Sequence, residues 1–283
     1  MDKSGIEIIK ASGDKVLFNE AKLKESLKRS GANSALIEQA LEKIRAMLYD
    51  GIPTKDIYKA AFHLLKQKER ISAAKYKLKR ALMELGPSGY PFERLSAAIL
   101  KKEGYVTQVG KIVQGKCVQH EIDVIAQRGK EHLMIECKFH SDQGRFCNVK
   151  IPLYIQSRFL DIEANWKLQE GHEKKFHQAW IFTNTRFSTD AIQYANCMDL
   201  KLLSWDYPRE KSLRNRIDEA GLHPLTALTT LSKKEKQQLL SRNIVLCREL
   251  HEQPESLKAI GIDQARRKKI ISDSKAMCKR IEQ

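Results

Sequence analysis

The chain has no Cys-x-x-Cys pair. Its six cysteines stand singly at positions 117, 137, 147, 197, 247 and 278. That spacing excludes a zinc ribbon, and the placement of several within apolar runs reads as reduced, buried thiols in a cytoplasmic protein. No apolar run approaches the roughly 18 residues that a membrane helix needs, and the opening MDKSGIEIIK holds no hydrophobic signal region. A soluble, intracellular protein is expected. No tandem repeat at a solenoid period is evident. Acidic residues are scarce, 35 against 51 lysines and arginines, for a formal net charge of +16 and a pI near 9.5. Such a balance points to a polyanionic partner, most simply nucleic acid. The excess is uneven: residues 1–86 carry +7, residues 87–208 only +2, and residues 209–283 again +7.

At 283 residues and 42% hydrophobic, the chain has room for two or three domains with real cores. Leu85-Gly86-Pro87-Ser88-Gly89-Tyr90-Pro91, rich in turn formers, marks one boundary, and Tyr207-Pro208 marks a second. Between them lies the most informative segment, His120 to His140. Ile122-Asp123-Val124-Ile125-Ala126 and His132-Leu133-Met134-Ile135-Glu136-Cys137-Lys138-Phe139 have the length and β-branched or apolar content of strands. Gln127-Arg128-Gly129-Lys130 supplies the hairpin turn. Alternation puts Glu136 and Lys138 on one face, and pairing of the hairpin brings Asp123 close to them. Charges seldom sit in apolar strands without a partner or a metal, because burying them alone is costly.

Two carboxylates and a lysine on neighbouring strands suit metal-assisted phosphodiester hydrolysis. Asp123 and Glu136 offer hard oxygen ligands of the kind Mg²⁺ takes. The ion would activate water and steady the leaving oxygen, while Lys138 would orient the nucleophile and offset charge on phosphorus. A His/Asp/Glu/His zinc cluster, with His120, Glu121 and His140 flanking the site, is the rival metal reading, and the lysine in its midst argues against it. His120 and Glu121 are better read as residues that shape the magnesium site from behind. Further on, Lys150 to Phe159 looks like a helix facing the site, where Gln156 and Arg158 are candidates for touching phosphate.

These residues resemble the PD-(D/E)xK nucleases, most closely the Mrr-type restriction endonuclease domain. Asp123 matches the isolated Asp and Glu136-Cys137-Lys138 the (D/E)xK. The resemblance runs from Tyr90 to about Pro208. It takes in a helix from Pro91 whose Glu93 falls at an acidic position able to join the metal site, then Ala179–Thr185, Asp190–Ile192 and the short strand Leu202–Trp205. It implies a metal-dependent endodeoxyribonuclease, a hydrolase that would act as a dimer or larger homo-oligomer to cut both strands.

Upstream, Ile6–Lys10 and Val16–Phe18 read as a small hairpin. Helices follow, capped by Asn19, over Ser34–Tyr49, from a cap at Thr54, and over Ser72–Leu85 with Lys75, Lys77, Lys79 and Arg80 forming a basic face. Ile8-Ile9-Lys10-x-x-Gly13, Phe18-Asn19-x-x-Lys22-Leu23 and Ser26-Leu27 resemble the ATP-cone domain. That likeness implies ATP or dATP as a regulatory ligand, with Lys10 and Lys22 on its phosphates and Thr54 close by. Ala11 departs from the family, which commonly carries a basic residue there.

Downstream, Ser212–Ala220 is helical and stops at Gly221, Ser232 with Glu235 forms a capping box, and a last helix covers Asp263–Ile281. Leu257-x-x-Ile260-Gly261-Ile262 is like a helix-hairpin-helix element, which contacts DNA phosphate through backbone amides. Arg266-Arg267-Lys268-Lys269 would add phosphate neutralisation. The fold class expected is therefore α/β: a PD-(D/E)xK restriction-endonuclease-like core, a mixed sheet flanked by helices, over 87–208. An ATP-cone-like nucleotide-binding domain (1–86) and a basic helical DNA-binding domain (209–283), both mainly helical, flank it. The activity expected is Mg²⁺-dependent DNA cleavage under nucleotide control, the alternative being a non-catalytic, nucleotide-responsive DNA-binding regulator.

Overall fold

The computed structural model describes residues 5–142, 144–172 and 175–279, arranged as mixed α/β structure in two compact units. The first unit contains residues up to Leu82, a short stretch around Asp142 and Gly144, and those from His223 onward. The expected amino- and carboxy-terminal modules thus share one unit. The second runs from Met83 to Leu222, apart from that short stretch.

The first unit opens with β1 (Glu7–Ile9) and β2 (Lys15–Leu17), joined by a tight turn. Then come α1 (Glu20–Arg29), α2 (Ser34–Met47), β3 (Ile52–Pro53), α3 (Thr54–Lys68), α4 (Arg70–Tyr76) and α5 (Leu78–Met83). The sheet order is β2-β1-β3, with β1 antiparallel to β2 and parallel to β3. Asn19 caps α1, its side chain accepting from the Lys22 amide, and Asn33 caps α2 in the same manner. Leu27, Leu41, Ile44, Ile52 and Leu65 form the centre of the core. Two local readings change. Thr54 is the first residue of α3, after Pro53, and makes no side-chain cap. The expected single helix over Ser72–Leu85 is two helices broken at Lys77.

The second unit begins with α6 (Tyr90–Lys102), with Pro91 in its first turn, where its missing N–H costs nothing. The chain continues through β4 (Val106–Gln114), β5 (Gln119–Arg128), β6 (Glu131–Lys138), α7 (Lys150–Trp166), β7 (Phe176–Thr183), α8 (Thr189–Cys197), β8 (Lys201–Leu203) and α9 (Leu213–Ala220). The sheet order is β4-β5-β6-β7-β8. The first three strands are antiparallel, and β6, β7 and β8 are parallel, joined through α7 and α8 as parallel strands require. Met134, Ala179, Ile181 and Leu202 form a core with Ile155, Phe159 and Ile162 of α7 and Ala191 of α8. The Phe92 ring of α6 meets Phe139, just past the end of β6.

The chain then returns to the first unit as α10 (Lys233–Leu240), α11 (Cys247–Glu252), α12 (Glu255–Lys258) and α13 (Gln264–Cys278). The Ser232–Glu235 capping box forms as expected. Two of the lysines read as a basic face bind this segment: Lys75 Nζ donates to the Lys279 carbonyl (3.1 Å) and Lys77 Nζ to that of Thr226 (3.1 Å). No helix among the described residues is long and apolar enough to cross a membrane.

Candidate active site

An interruption in the sheet creates the site. The β5–β6 ladder pairs Arg128 with Glu131 and runs to Val124 with Ile135, where it stops. Beyond that point β6 stays bonded to β7 through Lys138–Thr183. The Cys137 amide, which would otherwise reach for β5 backbone, donates to the Asp123 side chain, at 2.7 Å to Oδ2. The β4–β5 pairing breaks at the same level: Val109 pairs with Val124 and Lys111 with Ile122, leaving Gly110 between them at φ +59°. Ile122 and Ile125, three residues apart, both pack in the core that α7 covers. Side-chain alternation therefore slips at Asp123, which stands opposite Gly110 with the β4–β5 register unchanged on either side, and the carboxylate takes the Cys137 amide of the next strand.

Glu136 is 4% exposed and held from two sides. Lys138 Nζ donates to Oε1 and Arg158 Nη1 of α7 to Oε2, each at 2.6 Å. Arg158 also bonds the Glu121 carbonyl, so one guanidinium spans both strands at the notch. Glu93, from the first turn of α6, completes the acidic group. Burial, then repulsion from Asp123, Glu121 and Glu136, pushes its carboxyl up to about 7. Asp123 is pushed up to about 6 by burial and by Glu136, against the opposing pull of the Cys137 amide, Lys138 and Arg158. Three acidic side chains face two cations here, and net negative charge is left over.

The structure brings Asp123, Glu136, Lys138 and Glu93 together, with Arg158 of the expected facing helix. Gln156 is buried on α7 with Oε1 lacking a hydrogen-bond partner. His120 is displaced from its expected role: its Nε2 meets Asp161 Oδ2 of α7 at 2.7 Å. His140 lies by Cys147, at 3.5 Å from Nε2 to Sγ. These two histidines thus meet partners outside the acidic group, and neither forms the zinc site that their positions suggest in the sequence. Three others, His132, His172 and His177, escape a sequence reading and cluster at the far end of β6. Burial holds His132 down to about 4 and lowers His177. His172 and His177 stand at a His-x4-His spacing, but His132 lies 40 residues before His172, so the sequence does not join the three.

Elsewhere, Lys10 and Thr54 directly follow the paired residues Ile9 and Pro53, so they emerge side by side at one end of the small sheet. Lys22 lies in the first turn of α1. Gly261 takes φ +79° between α12 and α13, as the hairpin turn requires. Arg266 is already committed there, its guanidinium gripping Glu235 through 2.6 and 3.1 Å bonds. Arg267 is half-buried, whereas Lys268 and Lys269 are exposed.

Comparison with known proteins agrees with the unit boundary at His223. Residues 223–278 match the family model described as AF1548-like, C-terminal. An uncharacterized protein of Archaeoglobus fulgidus is 37% identical over 180 residues, 63% of this chain and 97% of that protein. The chain belongs to the AF1548-like family. A crystal structure of AF1548, described as a protein of unknown function, is 35% identical with a TM-score of 0.56. The match covers 68% of this AF1548-like chain and 98% of the other.

Proposed function

We propose that this AF1548-like protein is a divalent-metal-dependent endodeoxyribonuclease whose second unit has a PD-(D/E)xK-type core. The observation that carries the reading is the convergence of Asp123, Glu136 and Lys138 where β5 parts from β6. The donor set suits a hard cation: carboxylate oxygens only, with the Asp123 and Glu93 carboxyls raised first by burial and then by neighbouring acids. Asp123 and Glu136, joined by Glu93, would hold Mg²⁺, which when bound supplies Lewis acidity and an acidified water. Arg158 fixes the Glu136 carboxylate from the core side. Lys138, 28% exposed, keeps its ammonium at the mouth of the notch, where it orients the attacking water and offsets charge gathering on the phosphoryl oxygens. The side-by-side emergence of Lys10 and Thr54 supports a nucleotide-phosphate site in the first unit, with ATP or dATP as regulator.

The deciding experiment is plasmid nicking with Mg²⁺, with and without ATP or dATP, comparing wild type with Lys138→Ala. Expected is cleavage by wild type, loss of at least 100-fold in the variant, and unchanged DNA affinity. DNA binding without cleavage by wild type would instead identify a nucleotide-responsive DNA-binding regulator. If neither nucleotide alters cleavage or quaternary state, the regulatory part is lost and the hydrolase reading stands.

A further inference from the structure

His132 lies on β6 four residues before Glu136, roughly 13 Å along the strand from the acidic notch. With His172 and His177 it forms a group of three whose ligating atoms all lie within 4.8 Å of one another. The three come from different places: His132 from β6, His177 from the adjacent strand β7 directly beside it in register, and His172 from the connection between α7 and β7. His132 is 7% and His177 6% exposed. The His172 and His177 rings stack at 5.3 Å with Nδ1 and Nε2 in hydrogen-bond reach (3.0 Å), and Trp166 closes the group at 4.3 Å from His132.

A purely structural histidine cluster leaves one atom unexplained. His132 Nδ1 is buried with no hydrogen-bond partner. Buried ring nitrogens normally find one, because leaving one bare loses solvation with nothing in return. Three imidazoles with ligating nitrogens this close, one ring carrying a bare buried nitrogen, make a donor set of the kind zinc takes. From this geometry we propose that His132, His172 and His177 bind one Zn²⁺ ion, which fastens the α7–β7 connection to the sheet. The class of metal differs from that of the acidic notch, because imidazole suits Zn²⁺ and related transition ions whereas carboxylate oxygens suit Mg²⁺. Three imidazoles fill three tetrahedral positions and leave the fourth for water. On binding, the His172–His177 hydrogen bond gives way to two metal bonds, and the proton it carried moves to the other nitrogen of its own ring, so each imidazole stays neutral with one N–H. The site owes nothing to the proposed nuclease activity.

The test uses the full, tag-free chain, stripped with chelator and titrated with Zn²⁺ in excess Mg²⁺, with bound metal counted by elemental analysis and Co²⁺ as a spectroscopic stand-in. One zinc per chain, a rise in melting temperature on loading, and intense tetrahedral Co²⁺ bands are expected. His172→Ala, at a half-buried connection where the fold should tolerate it, should weaken Zn²⁺ at least 100-fold. His132→Ala should do likewise. Asp123→Asn should leave the stoichiometry at one, which separates this site from the notch. A folded wild type that binds no zinc, or zinc binding undisturbed by His172→Ala, overturns the proposal.

Discussion

Asp123 and Glu93 hold their protons more tightly in the folded chain than in the unfolded one, since burial and neighbouring carboxylates raise both. The sign of the consequence follows from linkage. Their contribution favours the folded state fully below about pH 4. It is lost as pH rises through the folded values near 6 and 7. Without metal, stability to urea should therefore decline between about pH 5 and 7.5. Asp123→Asn, which keeps an oxygen for the Cys137 amide, should be more stable than wild type at pH 7.5 and should lose that advantage at pH 4. An advantage of equal size at both values would remove the repulsion argument. Arg158 poses the opposite case. Removing it leaves the buried Glu136 carboxylate with Lys138 alone. Arg158→Ala should cost on the order of 3 kcal/mol by chemical denaturation, whereas Arg158→Lys should recover part of that.

At the scale of elements, legibility in the sequence depends on how completely each segment is buried. β5, β6 and their turn are readable because Ile122–Ala126 and Leu133–Cys137 concentrate apolar residues. β4 escapes such a reading: it is an edge strand with no fully buried position, and its polar residues hide the period of two. The notch is only half legible. The residue types are visible, but the slip of alternation at Asp123 depends on Gly110, on a strand that carries no such signal. His120 misleads for a similar reason, since its partner Asp161 lies 41 residues away on α7. That carboxylate also accepts from the Cys117 and Val118 amides and so pins the β4–β5 turn to α7. A Cβ at Gly115 would fall 2.1 Å from Asp161 Oδ2 and 2.8 Å from the Val118 carbonyl. Gly115→Ala should thus cost about 1–3 kcal/mol in urea denaturation. Amide exchange should rise across residues 114–119 first. Uniform exchange over the whole unit would show that the turn is not locally pinned.

On the scale of the whole chain, the charge division follows the two compact units more sharply than it follows the linear sequence. Of the formal +16, +13 falls in the unit formed by the two ends of the chain and +3 in the unit holding the acidic notch. A nuclease built this way would take most of its DNA affinity from one unit and its chemistry from the other, because phosphate neutralisation by lysine and arginine supplies sequence-independent binding. The cations on α13 are not equivalent. Arg266 already neutralises Glu235, whose carboxyl it holds well down at about 2, so it brings little free charge to a phosphate. Lys268 and Lys269 stand exposed on the same helix. Replacing both with alanine should weaken DNA binding and reduce the slope of log K against log salt by up to about 2, one for each phosphate no longer neutralised. Arg266→Ala should leave that slope nearly unchanged and lower thermal stability instead. If the two lysines leave the slope unmoved while Arg266→Ala flattens it, the helix engages DNA through the residue that the free protein commits to Glu235, and binding must break that ion pair.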